Sequence, residues 1–139
     1  QEINEVAIMF SHLIRSQMSI AQRRLDEEGL CRAQPAIVHA LSQCEGSTQV
    51  ELAQKLGVTA ATISAMLKRM ERDEVIERRR SEVDQRVTHV YLTEKGKSQA
   101  KIVNEIFKEL NLRSFGNFSK EELEQTRAIF SKLIANFSD

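Results

Sequence analysis

Between positions 68 and 86 the chain places seven of its twenty basic residues: Lys68, Arg69, Arg72, Arg78, Arg79, Arg80 and Arg86. Ammonium and guanidinium groups can make charge-assisted hydrogen bonds to phosphate or carboxylate oxygens. Six acids share the stretch (Glu71, Asp73, Glu74, Glu77, Glu82 and Asp84), so the cations bind an anion only if the fold sorts the two signs. Immediately upstream stand Thr59, Ala60, Ala61, Thr62, Ser64 and Ala65. Small side chains allow close approach and methyl contacts, and a hydroxyl can bond to several base edges. The chain as a whole has zero formal net charge, so bulk charge gives no support for a polyanionic partner; segregation must supply it.

Other chemistries lack their residues. Acyl or phosphoryl transfer needs a nucleophile beside a base, paired carboxylates or a glycine-rich phosphate loop, and none is present, so the reading is non-enzymatic with no cofactor. His12 and His39 have no acidic or cysteine partner at metal-ligand spacing and read as surface or packing residues, so no metal is expected. Cys31 and Cys44 are too few for a disulfide framework and form no CxxC pair; they read as reduced, inert small hydrophobes. No apolar run approaches the ~18 residues a membrane helix needs. The charged first helix, with Glu2, Glu5 and Arg15, does not look like a secretory signal. A cytoplasmic location with no membrane partner is the expectation.

The elements that must position these residues follow from periodicity. With one proline and five glycines in 139 residues, the chain should be mostly α-helical, with long helices and short loops. Ile3, Val6, Phe10, Leu13, Ile14, Ile20, Ala21 and Leu25 recur at helical spacing, closed by Gly29. Pro35 opens a second helix to about Cys44, and Gln49 to Leu56 is a third. Thr59 caps a fourth, Ala60 to about Asp73, whose core face reads Ile63, Met66, Leu67 and Met70. The period then changes to two across Val75–Arg80 and Arg86–Leu92, two antiparallel strands joined by Ser81–Gln85. Thr93 and Glu94 open a long fifth helix, and Ser119 with Glu122 caps a sixth.

Within this order, Leu52, Ala53, Leu56, Gly57, Val58, Ile63 and Met66 have the spacing of a helix-turn-helix. Ala53 is small where two helices cross, and Gly57 lies in the tight turn. Ala60, Ala61, Ser64, Ala65 and Lys68 would then lie opposite the core, flanked by Arg69 and Arg72. The two strands and their basic loop read as a small two- or three-stranded wing.

The sequence Asp84-x-Arg86, followed by Val90-x-Leu92-Thr93-x-x-Gly96, resembles the wing and following helix of the MarR family of winged helix-turn-helix regulators. The resemblance covers essentially the whole chain. It implies that Arg86 reaches a DNA minor groove, which suits narrow A·T-rich sequence, and that Asp84 holds the wing through an ion pair. One departure is Glu74, where the family commonly has glycine, which points to a rebuilt turn before the wing. Relatives bind small aromatic acids or lipophilic compounds between the first, second and fifth helices. Arg15 and His12, with Ala36 and Ala40 leaving room, are the matching positions. Oxidant-sensing relatives carry a reactive cysteine in the first helix, where this chain has none.

The expectation is therefore one domain over 1–139. Residues 31–93 form the winged helix-turn-helix, and 1–30 and 94–139 form dimerisation helices whose apolar residues exceed what a small module can cover. Its partners would be double-stranded DNA, a second copy of the chain and a small effector. The candidate DNA-contacting set is Thr59, Ala60, Ala61, Thr62, Ser64, Ala65, Lys68, Arg69, Arg72, Arg79, Arg80, Asp84 and Arg86. The alternatives are a winged-helix protein-interaction module without a DNA target and a thiol-based redox sensor.

Overall fold

The computed structural model describes residues 1–30 and 34–138. It contains α1 (Glu2–Glu27), α2 (Pro35–Gln43), α3 (Gln49–Leu56), α4 (Ala60–Arg72), β1 (Ile76–Arg80), β2 (Thr88–Leu92), α5 (Glu94–Phe115) and α6 (Lys120–Asn136). Two compact units contain them, Gln1–Ile106 and Phe107–Asp139. Cys31 lies outside the described residues.

Local chemistry sets each boundary. Gly29 takes a left-handed φ of 74° and lets the Leu30 amide donate to the Leu25 carbonyl at 2.8 Å, closing α1. Pro35 occupies the first turn of α2, where a missing N–H costs no helical bond. Thr48, Thr59 and Ser119 cap α3, α4 and α6 by accepting from the Glu51, Thr62 and Glu122 amides, each at 3.1 Å. At Ser119 the Glu122 carboxylate accepts the return bond from the cap amide at 2.9 Å, completing the capping box.

In the first unit Ile37, Leu41, Leu52, Ile63, Leu67, Ile76, Val90, Val103 and Ile106 are almost wholly removed from solvent. Elements α2 to α5 and both strands thus share one core. Leu67 on α4 is fully buried, so truncating it to alanine would cost about 2–5 kcal/mol. In the second unit Phe115 meets Phe118 and Phe130 edge-on, at ring-centroid distances of 5.3 and 6.3 Å, a favoured aromatic geometry.

Four expectations are corrected. The strands are shorter than the alternation suggests, and Arg86 and Val87 belong to the loop. There the Val87 amide donates to the Asp84 carbonyl at 2.9 Å, and the Ser81 amide donates to the Val87 carbonyl at 2.9 Å. The turn at Glu74 is not rebuilt. Glu74 itself adopts the left-handed conformation, φ 61°, and the Val75 amide reaches the Met70 carbonyl at 2.9 Å as a glycine-capped helix end would. Met66 is half-buried rather than core. Cys44 is exposed at the end of α2, not packed as a small hydrophobe.

Candidate nucleic-acid interface

Helix α3 ends at Gly57, whose φ of 66° closes the helix and turns the chain into Val58 and the Thr59 cap within three residues. Ala53 is buried and Leu52 nearly inaccessible. The small residue at the crossing and the left-handed turn together let α4 pack steeply on α3. Ile63, Leu67 and Met70 anchor α4 in the core. At 100° per residue, the face opposite them carries Ala61, Thr62, Ala65, Lys68, Arg69 and Arg72, all exposed, as is Ala60 at the first turn. Ser64 lies on the flank of this face and is half-buried. The Thr59 hydroxyl is engaged within the cap, accepting from the Thr62 amide and bonding the Thr62 hydroxyl at 2.9 Å.

The fold sorts part of the interleaved charge by pairing three of the six acids locally. Glu71 is held by Arg78 (2.9 Å), Glu77 by Arg79, and Asp84 by Arg86 (3.2 Å). Among the described residues, no acid lies within ion-pair distance of Lys68, Arg69, Arg72 or Arg80. The outer face of α4 therefore presents three cations beside two alanines and Thr62.

The wing tip is organised by Asp84. Its carboxylate accepts from the Arg86 amide at 3.0 Å, from Arg86 Nε at 3.2 Å and from Nη2 at 3.4 Å. The Ser81 hydroxyl in turn accepts from the Val83 and Asp84 amides, each at 3.2 Å. These bonds fix the turn while the Arg86 side chain remains 92% exposed. Hydrogen bonding from the Arg86 side chain, and then from its amide, holds the Asp84 carboxyl below its ordinary range. Arg79 lies with its guanidinium carbon 4.3 Å above the Tyr91 ring and pairs with Glu77. The Glu77 hydrogen bond strengthens its hold on its proton. Arg80 is exposed at the end of β1.

Sequence reasoning missed two groups of residues. Arg78, given no role there beyond its place among the seven basic residues, is half-buried and donates to Glu71 and Gln49. Its position two residues after buried Ile76 was the available signal, because alternation puts both on one face. Glu45–Thr48 reads in the sequence as a loop before α3, without its pairing to β2. The Gly46 amide donates to the Val90 carbonyl (3.0 Å), the Val90 amide to the Ser47 carbonyl (2.9 Å) and the Leu92 amide to Glu45 Oε1 (3.1 Å). His89 Nδ1 meets the Gly46 carbonyl at 2.8 Å, and Thr48 and His89 form a bridge. The wing thus has a partial third strand, within the two or three strands expected.

Of the four suggested effector residues, His12 and Arg15 share a concavity of about 440 Å³ on α1 with Ser16, Ser19 and Ile20. Ala36 is exposed and Ala40 is buried in the core, and neither lines it. Among the described residues no cluster of His, Cys, Asp and Glu could hold a metal ion, and no helix is long and apolar enough to cross a membrane.

Residues 30–88 match the model of the MarR family. Over 86 residues the chain is 33% identical to the HTH-type transcriptional regulator MgrA of Staphylococcus aureus, a match covering 61% of this chain and 56% of that protein. The chain therefore spans little more than half of that curated relative. Its fold is similar to the crystal structure of the transcriptional regulator SlyA, with TM-score 0.82 and 22% identity over 94% of this chain and 92% of that one. It is equally similar to S. aureus MepR in its DNA complex, with TM-score 0.82 and 23% identity over 94% and 97% of the two chains. Over residues 30–88, less than half of its length, the chain is similar to the MarR family, and over nearly its whole length it has the fold of the solved structures of SlyA and MepR.

Proposed function

We propose that the chain is a sequence-specific DNA-binding repressor acting in the cytoplasm as a homodimer on a pseudo-palindromic operator. The observation that carries this reading is the sorting of charge on the helix-turn-helix: Lys68, Arg69 and Arg72 unpaired on the outer face of α4, with Arg86 projecting from a rigid wing tip. Helix α4 enters the major groove N-terminus first. Ala60, Ala61, Thr62 and Ala65 approach base edges, Ser64 bonds from the flank, and Lys68, Arg69 and Arg72 meet phosphates. The Thr59 cap lies where a phosphate can approach the helix N-terminus. Arg86, oriented by Asp84, enters the minor groove, and Arg79 and Arg80 meet the backbone beside it. The same fold in MepR, crystallised with DNA, supports the reading.

Dimerisation is supported separately at each end of the chain. On α1, Ile3, Val6, Met9 and Leu13 are all more than half exposed. On α6 no residue is buried although it carries Leu123, Ile129, Phe130 and Ile134. Apolar surface of this kind is ordinarily covered, and pairing with an identical copy is the commonest way. It would set two recognition helices about 34 Å apart. A small aromatic or lipophilic acid held by Arg15 and His12 on α1 would be the releasing effector.

Selection of bound fragments from random duplex DNA tests the whole reading. Recovery of an inverted repeat with half-sites one helical turn apart is the expected result. No enrichment, with no salt-sensitive binding to duplex DNA, would leave a protein-interaction module.

A further inference from the structure

The Arg78 guanidinium makes contacts to both helices of the helix-turn-helix. Nη2 and Nε donate to the two carboxylate oxygens of Glu71 on α4, at 2.9 and 3.4 Å, and Nη1 donates to Oε1 of Gln49, the first residue of α3, at 3.1 Å. Arg78 sits in the middle of β1, paired with Val90 of β2. Only 21% of its side chain is exposed. One planar fork thus joins the wing strand to the recognition helix and to the helix that braces it. Only arginine can do this, since its donors are fixed in one plane while a lysine offers a single mobile point. Arg79, the next residue along the strand, makes no such tie and lies against Tyr91 and Glu77.

We infer that Arg78 is a positioning residue that sets the angle between wing and recognition helix, so that the major-groove contacts of α4 and the minor-groove contact of Arg86 are made at one fixed spacing on the DNA. The inference rests on the proposed DNA-binding function. It assigns Arg78 no direct phosphate contact. Loss of the tie leaves both reading elements intact but lets them engage independently, so Arg86 adds little to affinity once the wing is free to swing.

The test is a double-mutant cycle on the selected operator, with Arg78→Met and Arg86→Ala, and with Arg78→Lys as the variant that keeps charge and fold but not the fork. In the wild-type background Arg86→Ala should weaken binding by roughly tenfold or more. In either Arg78 background the same change should cost less than about threefold. An equal loss in all backgrounds overturns the inference, as does full rescue by lysine, which would mark Arg78 as a phosphate contact. A DNA-free arm separates the two hypotheses. Spin labels at Glu82→Cys and Ala65→Cys, with Cys31→Ser and Cys44→Ser and the labelled chain diluted into unlabelled, report the distance from wing tip to recognition helix. Arg78→Met should broaden that distribution while Arg79→Met leaves it narrow. A distribution unchanged by Arg78→Met overturns the strut. Broadening in a protein whose wild type binds no DNA upholds the strut and removes only the proposed function.

Discussion

The carbonyl oxygen of Val75 lies 2.1 Å from the point where a Cβ on Gly96 would stand. The Thr93 side chain makes this approach close: its hydroxyl donates to the Glu74 and Val75 carbonyls, at 2.6 and 3.1 Å, and accepts from the Gly96 amide at 3.1 Å. The first turn of α5 is thereby pressed against the turn that joins α4 to β1. Gly96→Ala should destabilise the protein by about 1–3 kcal/mol, the range for forced overpacking. Denaturant titration checks it, and an unchanged midpoint would show that the two segments separate freely.

Glu74 holds a left-handed backbone without the freedom of glycine. A non-glycine residue in that region costs on the order of 1 kcal/mol, offset in part by the greater unfolded-state entropy of glycine. Glu74→Gly should therefore stabilise by about 0.5–1 kcal/mol, raising Tm by a few degrees. A lowered Tm would mean that the Glu74 side chain contributes more than its backbone costs.

The Glu71–Arg78 pair gives a pH signature. The Arg78 side-chain hydrogen bond holds the Glu71 carboxyl below its reference value of 4.5. A depressed folded-state pKa contributes stability that is present above the unfolded value and lost as pH falls through the folded one. The advantage of wild type over Glu71→Gln should be constant from neutrality to about pH 5 and shrink below about pH 4.5. Because Glu71 is largely exposed, its size should not exceed about 1 kcal/mol. An advantage that grew on acidification would contradict the pairing.

Lys68 and Arg86 should fail in different ways. Lys68→Ala should weaken binding to all duplexes alike and lower the salt slope by about one, as removal of a phosphate contact does. Arg86→Ala should act mainly on operators with A·T-rich flanks, where the minor groove is narrow. Asp84→Asn should mimic part of that loss by freeing the Arg86 side chain. Equal salt slopes for wild type and Lys68→Ala would remove Lys68 from the phosphate set.

Helices were the most legible part of the chain, because their caps and breakers are single residues with local jobs. Thr59, Gly57, Ser119 and Glu122 mark ends that the structure keeps. Core positions Ile63, Leu67 and Met70 were equally plain from their spacing. Strand ends were not, since Arg86 and Val87 fit the alternation, while their backbone bonds are taken by Asp84 and Ser81 in a turn. Glu74 misled for a related reason: propensity disfavours glutamate at a left-handed position, but the packed ends of α4 and β1 impose it. Counting charges along the chain could not separate the arginine that ties elements together, Arg78, from those left free, because pairing with Glu71 and Gln49 depends on contacts distant in sequence.

The Glu45–Thr48 loop that lies along β2 has a consequence for how the protein survives at high concentration. A small sheet offers two rims of unpaired backbone groups to which a foreign strand could add, the usual route into fibrils. Along β2 that rim is already occupied by Glu45, Gly46 and Ser47. Along β1 it carries charged side chains, Glu77 and Arg79 paired with each other and Arg80 without an ion-pair partner among the described residues, and burying such groups against a second strand is costly. Aggregation through the wing is thus opposed by backbone on one rim and by charged side chains on the other, and Arg79 and Arg80, proposed to meet DNA, serve the unbound protein as well.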